Sequence, residues 1–171
     1  LLCRHFREAY GMFVSTAIFY NHESPRRIEE YVTRKITMSA ARISMGLQDK
    51  LVLGDLSAEI DWGYAKEYME AAWKILQLET PDDFIIATGE THSVQDFVEE
   101  TFRVAGLSAK NYLVSDKKFF RPTANVTLRG DSTKARKTFG FDPKVKFREL
   151  IRLMVESDLQ LLKAGRVDRP S

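Results

Sequence analysis

Met12-Phe13-Val14-Ser15-Thr16-Ala17-Ile18-Phe19-Tyr20 runs straight into Asn21-His22-Glu23-Ser24-Pro25-Arg26-Arg27. The junction of these two stretches sets the fold class. The first is a continuous apolar, β-rich run, the pattern of a strand buried on both faces of a parallel sheet. The second is a polar loop that puts an amide, an imidazole and two guanidiniums at the carboxyl end of that strand, where open α/β sheets bind ligands. Guanidinium forks match phosphate oxygens bidentately. On residue types alone the loop is either such a binding loop or a solvated connection that Pro25 redirects.

Working outward, Leu2 to Tyr10 read as helix ended near Gly11, and Val32, Ile36, Ala40, Ile43 and Leu47 carry helical spacing that stops around Gly46. Leu51-Val52-Leu53-Gly54 is a short strand, Tyr64, Tyr68, Ala71 or Ala72 and Ile75 mark a helix, and Phe84 to Thr88 is a second buried strand. Ser93-Val94-Gln95-Asp96 resembles a capping box ahead of Phe97, Val98 and Phe102. Tyr112-Leu113-Val114 predicts a short strand, and Asp131-Ser132 predicts the cap of a short helix with Gly140 past its end. Phe147, Leu150, Ile151, Met154 and Leu161 face inward on a last helix, and Gly165 to Ser171 read as a tail. This alternation predicts α/β, but incomplete, because strands buried on both faces need neighbours that two long strands alone do not supply. The chain opens at Leu1 without an initiator Met, as a fragment would.

Composition bounds the rest. The 171 residues carry 26 Lys and Arg against 24 Asp and Glu, a formal charge of +2 with no basic block, which predicts no nucleic-acid partner. No apolar run approaches the ~20 residues that span a bilayer, so no membrane partner is expected. One cysteine, Cys3, permits no internal disulfide, and a reducing, cytoplasmic setting is the expectation. On that view the Asn125-Val126-Thr127 sequon goes unglycosylated. No His, Cys or carboxylate residues fall at metal spacing, so no metal is expected. The nine glycines form neither a G-x-G-x-x-G nor a P-loop.

The stretch Asn21 to Arg27, followed by Tyr31-Val32-Thr33-Arg34-Lys35-Ile36, resembles the hallmark loop of GDP-mannose 4,6-dehydratases. Further matches run in order: Arg7-Glu8-Ala9-Tyr10, Asp61 to Tyr68, Ala87 to Val94, Phe120-Arg121-Pro122-Thr123 and Gly130 to Ala135. The resemblance covers nearly the whole chain, although related sugar-nucleotide reductases share the later motifs. It implies an extended short-chain dehydrogenase/reductase: residues 1–27 would end a Rossmann-like sheet, 28–165 would be mostly the smaller substrate-binding domain, and 166–171 a tail. The implied cofactor is NADP, held by His22, Arg26 and Arg27. The implied substrate is GDP-mannose or a related nucleotide sugar, lined by Asn21, Lys35, Arg121 and Gly54. A homo-oligomer, dimer or tetramer, is implied for the complete protein. Lys35 read alone is equally a solvated helix lysine, and Arg121 a structural arginine. Asp61 and Trp62 read as structural, the aspartate near a helix N-terminus and the indole packed; His92 reads likewise.

The resemblance also places the family's catalytic Tyr-x-x-x-Lys pair, its Thr and its Glu before Leu1, so no residue here is expected to be catalytic. Three positions depart from the family pattern. Ile28 replaces a glycine and would resist a positive φ; Ile60 replaces an arginine expected at the diphosphate; Ala124 replaces a glutamate suited to ribose or guanine. The alternatives are a non-catalytic nucleotide-sugar binding or assembly module, or another reductase or epimerase of the same fold. The missing start and the substituted pocket positions favour the module.

Overall fold

The computed structural model describes residues 1–116, 118 and 127–165. Helix α1 spans Leu2–Tyr10 and stops where Gly11 takes φ 60°, a left-handed conformation that glycine adopts without a Cβ clash. Strand β1 is Thr16–Phe19, shorter than the apolar run that precedes the polar stretch. It pairs in parallel with β6, Asp83–Ile86, beginning at Thr16 opposite Asp83. The partner strand starts just after Pro81, which has no N–H to extend the ladder. Arg7 occupies the gap, donating to the Val14 carbonyl at 3.0 Å and forking onto Asp83 at 2.7 and 2.9 Å. The Arg7 guanidinium holds the Asp83 carboxyl well below the usual carboxylate range. Burial on both faces is not met within this chain, because Ile18 is exposed, and so are Met12 and Phe13 just before the strand.

Asn21 to Glu23 corrects the reading of that stretch as loop. These three residues form β2, paired in parallel with β5, Trp62–Tyr64. Polar side chains concealed the strand, because its pairing uses backbone groups that carry no hydropathy signal. The loop proper begins at Ser24. Helix α2 then covers Val32–Ser44, ending before Leu47, which is exposed rather than part of the inward stripe. Strand β3, Leu51–Leu53, pairs in parallel with β8, Leu113–Ser115, and β4, Glu59–Ile60, pairs antiparallel with β7, His92–Ser93. Helix α3 is Ala65–Leu76 and α4 is Val94–Val104, which carries the complete Ser93/Asp96 capping box. Helix α5, Thr133–Phe139, starts after Ser132, whose side chain makes no capping bond; Asp131 accepts from the Thr133 N–H instead. Helix α6 is Phe147–Lys163.

Two cores result. Ile36, Ala40, Leu51, Trp62, Phe97 and Leu150, with their neighbours on α2, α4 and α6, make the larger one. Tyr68, Ala71, Ile75, Phe84, Ile86, Ala135 and Phe141 make the second, with Ala17 and Phe19 of β1 packed against it. The chain therefore returns to the β1 side twice, through α3–β6 and through α5, after leaving it for α2.

Tyr68 is the hinge of the second core. Its ring is wholly buried, edge-on to Phe19 and Phe141, and stacked on His22 with centroids 5.2 Å apart. It lies directly over Gly63, so a Cβ there would run into the ring and the hydroxyl. Gly63→Ala is expected to cost about 1–3 kcal/mol, the range of an overpacked core. Combined with Tyr68→Leu it should cost less than the sum of the two single changes, since the clash needs both partners. Denaturant melts of the four proteins measure this; strict additivity would contradict the close approach.

Candidate functional site

The site is built where β1, β2, β5 and β6 end. One buried carboxylate organises it. Asp61, between β4 and β5, accepts from the Thr88 N–H at 3.0 Å, the Thr88 hydroxyl at 2.6 Å, the Gly89 N–H at 2.9 Å and the Gly130 N–H at 3.3 Å. It is not a helix-end aspartate, as the sequence suggested, but a clamp on the loop after β6 and on the segment before α5. Arg136 of α5 adds a bond to the Thr88 carbonyl at 3.0 Å. Gly130 in turn lies so near Ala87 and the Tyr20 ring that a side chain there would collide with Ala87. Tyr20 donates its N–H to Ile86 O at 3.0 Å, and its carbonyl meets His22 Nδ1 at 2.8 Å. The last contact makes Nδ1 the donor and fixes the ring that Tyr68 backs.

The turn after β2 is tied on both sides. Inside it, Arg27 N–H donates to Ser24 O at 3.0 Å and Arg26 N–H to the Ser24 hydroxyl at 3.1 Å. Glu23 is 3% exposed, accepts from the Thr33 hydroxyl at 2.8 Å and lies 3.3 Å from Arg27 Nε. Burial pushes the Glu23 carboxyl up, against the pull of Thr33 and Arg27. The Arg27 guanidinium also sits over the Tyr31 ring, its Cζ 3.5 Å from the centroid. Arg27 is thus held by a counter-charge and an aromatic face while its side chain stays 32% exposed.

Of the residues expected at the site, Asn21 and His22 lie on β2 and Arg26 and Arg27 on the turn after it, with Asn21 and Arg26 exposed. Lys35 is not a solvated lysine: its Nζ donates to Val52 O at 2.9 Å, joining α2 to the middle of β3, two residues before Gly54. The Gly54 carbonyl accepts from the Ser115 hydroxyl at 3.3 Å. Arg121 and Ala124 lie outside the described residues. Ile28 has no positive φ, so its expected backbone conflict does not arise. Ile60 packs against the larger core, and its neighbour Glu59 accepts from the Thr127 hydroxyl at 2.9 Å. His92 stacks on Phe147 at 3.7 Å, as a packing residue. Sequence reasoning missed Glu23, Tyr31, Arg34 and Asp158. A signal existed for the last: Asp158 falls at helical spacing among Ile151, Met154, Val155 and Leu162, a charge on an apolar stripe.

No group of three metal-ligating side chains occurs among the described residues, and no described helix is long and apolar enough to cross a membrane. The family model described as GDP-mannose 4,6 dehydratase matches residues 1–154. GDP-mannose 4,6 dehydratase 1 of Arabidopsis thaliana is 48% identical over 163 residues, covering 95% of this chain and 45% of the relative. The Homo sapiens GDP-mannose 4,6 dehydratase is 43% identical, covering 94% and 48%. The chain thus spans about half the length of the curated relatives it matches. Among solved structures, RMD from Pseudomonas aeruginosa complexed with NADPH has a TM-score of 0.84 at 19% identity, covering 93% of this chain and 52% of the other. The dTDP-glucose 4,6-dehydratase of Bacillus anthracis in complex with NAD has a TM-score of 0.76 at 18% identity, covering 91% and 48%. At such identities these likenesses carry the fold alone, an α/β fold of the Rossmann-like extended short-chain dehydrogenase/reductase type.

Asp61→Asn tests the clamp. One amide oxygen accepts, but the NH2 must face N–H donors, and each buried donor left unpaired costs about 1–3 kcal/mol. A denaturant melt should show at least that loss, while Asp55→Asn, whose exposed carboxylate accepts from the neighbouring Ser57 N–H and hydroxyl at 2.9 and 2.8 Å, should show less. Equal effects would contradict the central role of Asp61.

Proposed function

The chain belongs to the GDP-mannose 4,6-dehydratase family, and from that premise we propose that the complete polypeptide removes water from GDP-mannose to give GDP-4-keto-6-deoxymannose. In this reading the described residues bind and orient; no proton transfer is assigned to any of them. NADP supplies a hydride acceptor that is regenerated within the cycle. The donor set fits such a group: one imidazole on β2 and two guanidiniums on the turn that follows it lie beyond the carboxyl end of the β1–β6 pair, and cations of this shape suit phosphate oxygens.

His22 and Arg27 are assigned to the cofactor, with Arg26 beside them. Asn21, Lys35 and Gly54 are assigned to the nucleotide sugar, together with Arg121. The observation that carries the reading is the fixed Arg27 guanidinium, paired with Glu23 and laid on Tyr31. A side chain immobilised before binding loses little freedom on binding, which favours a rigid anionic ligand. The homo-oligomeric state of the complete protein is part of the same proposal.

In the full-length protein that carries this segment, GDP-mannose with NADP should yield the 4-keto product, lighter by one water in mass spectrometry. Arg27→Ala should weaken NADP binding roughly ten- to a hundredfold, the value of a charged hydrogen bond, and leave GDP binding nearly unchanged. Titration calorimetry with each ligand separately reads the split. Equal weakening of both would reject the assignment.

A further inference from the structure

Beneath the Ser24–Arg27 turn lies an ion pair that the proposed chemistry does not use. Arg34, in the first turns of α2, and Asp158, on α6, meet with Nε 2.8 Å from Oδ1; their side chains are 2% and 0% exposed. The same guanidinium sends Nη1 to the carbonyl of Pro25 and to that of Arg27, the latter at 2.8 Å. Helix α6 is thereby joined through one planar cation to the backbone of the loop that bears Arg27.

Stability alone is a poor reason for this arrangement. Burying two charges costs desolvation energy that their attraction only about recovers, and apolar side chains of similar volume often serve as well or better. What an apolar pair lacks is a donor. The carbonyls of residues 25 and 27 accept from Arg34 here, and a guanidinium presents donors in a rigid fork that reaches both while facing a carboxylate. Asp158 supplies the charge that keeps the guanidinium in place. Arg27 is then fixed twice, its backbone from within by Arg34 and its side chain from outside by Glu23 and Tyr31.

We propose that Arg34 and Asp158 are positioning residues, which hold the Ser24–Arg27 turn in the shape that presents the Arg27 guanidinium to an anionic ligand. This rests on the assignment of Arg27 to the cofactor. Helix α6 thus reaches the backbone of the cofactor turn through Arg34, whereas the Lys35 side chain is held by the Val52 carbonyl of β3.

The test uses the full-length protein that carries this segment, with NADP and GDP as separate probes in titration calorimetry. The unsubstituted protein is measured first; if it binds no NADP, the functional reading falls and this inference with it. The double change Arg34→Met with Asp158→Leu removes both charges and refills the space. It should stay folded, bind NADP at least about tenfold more weakly and bind GDP within about twofold of the parent. Should that protein not fold, Arg34→Lys alone carries the test: it keeps the pairing with Asp158 but replaces the fork by one nitrogen, and the same split between NADP and GDP is expected. NADP affinity unchanged in a folded variant would overturn the proposal and leave the pair purely structural. Equal losses for both ligands would overturn it too, because the effect would then not be local to the turn.

Discussion

Asp61 gathers one hydroxyl and three backbone N–H groups onto a single buried carboxylate. An acceptor-only group is well suited to that task, since each lone pair meets a donor and no donor of its own is left over. The consequence travels by contact. The loop after β6 and the segment before α5 are drawn together; Gly130 then sits under the Tyr20 ring, and the Tyr20 carbonyl holds the imidazole of His22. The shelf on which the Asn21–Arg27 stretch rests is therefore set from a residue distant in sequence and absent from any ligand contact proposed for the loop.

The same stretch straddles the two cores. On one side His22 lies against Tyr68, which belongs to the core of α3, β6 and α5. On the other, Glu23 is tied to Thr33, and the turn carbonyls to Arg34, both on α2, whose partner core includes α4 and α6. A loop fixed from two packed bodies keeps little freedom, and rigid placement is what binding loops on a scaffold require. Helix ends and strand ends do the positioning here, while the apolar interior supplies the cohesion.

Much of this was legible in the sequence, and the parts that were not have physical causes. Helical periodicity placed α2, α3, α4 and α6 because each buries one stripe against a core, and the Ser93/Asp96 box announced α4. His22 and Arg27 were singled out by residue type and resemblance. Strand β2 was not, because Asn-His-Glu pairs through its backbone and shows no hydropathy alternation. The role of Asp61 was hidden for a different reason: its partners lie at residues 88, 89 and 130, and no local pattern reports a long-range acceptor. Ile60 was expected to leave the diphosphate without the family's arginine; its side chain packs against the larger core, and which way a strand position faces is set by register rather than by residue type.

We propose that the Asn21–Arg27 segment is a preformed cofactor site in the complete protein. A crystal structure of the full-length protein with NADP and GDP bound tests it most directly. The account predicts His22 and Arg27 within about 3 Å of NADP oxygens, the ordinary hydrogen-bond distance, with Arg27 still paired to Glu23 and laid over Tyr31. NADP bound elsewhere, with the loop facing solvent or the guanidinium on the GDP phosphates, would contradict it.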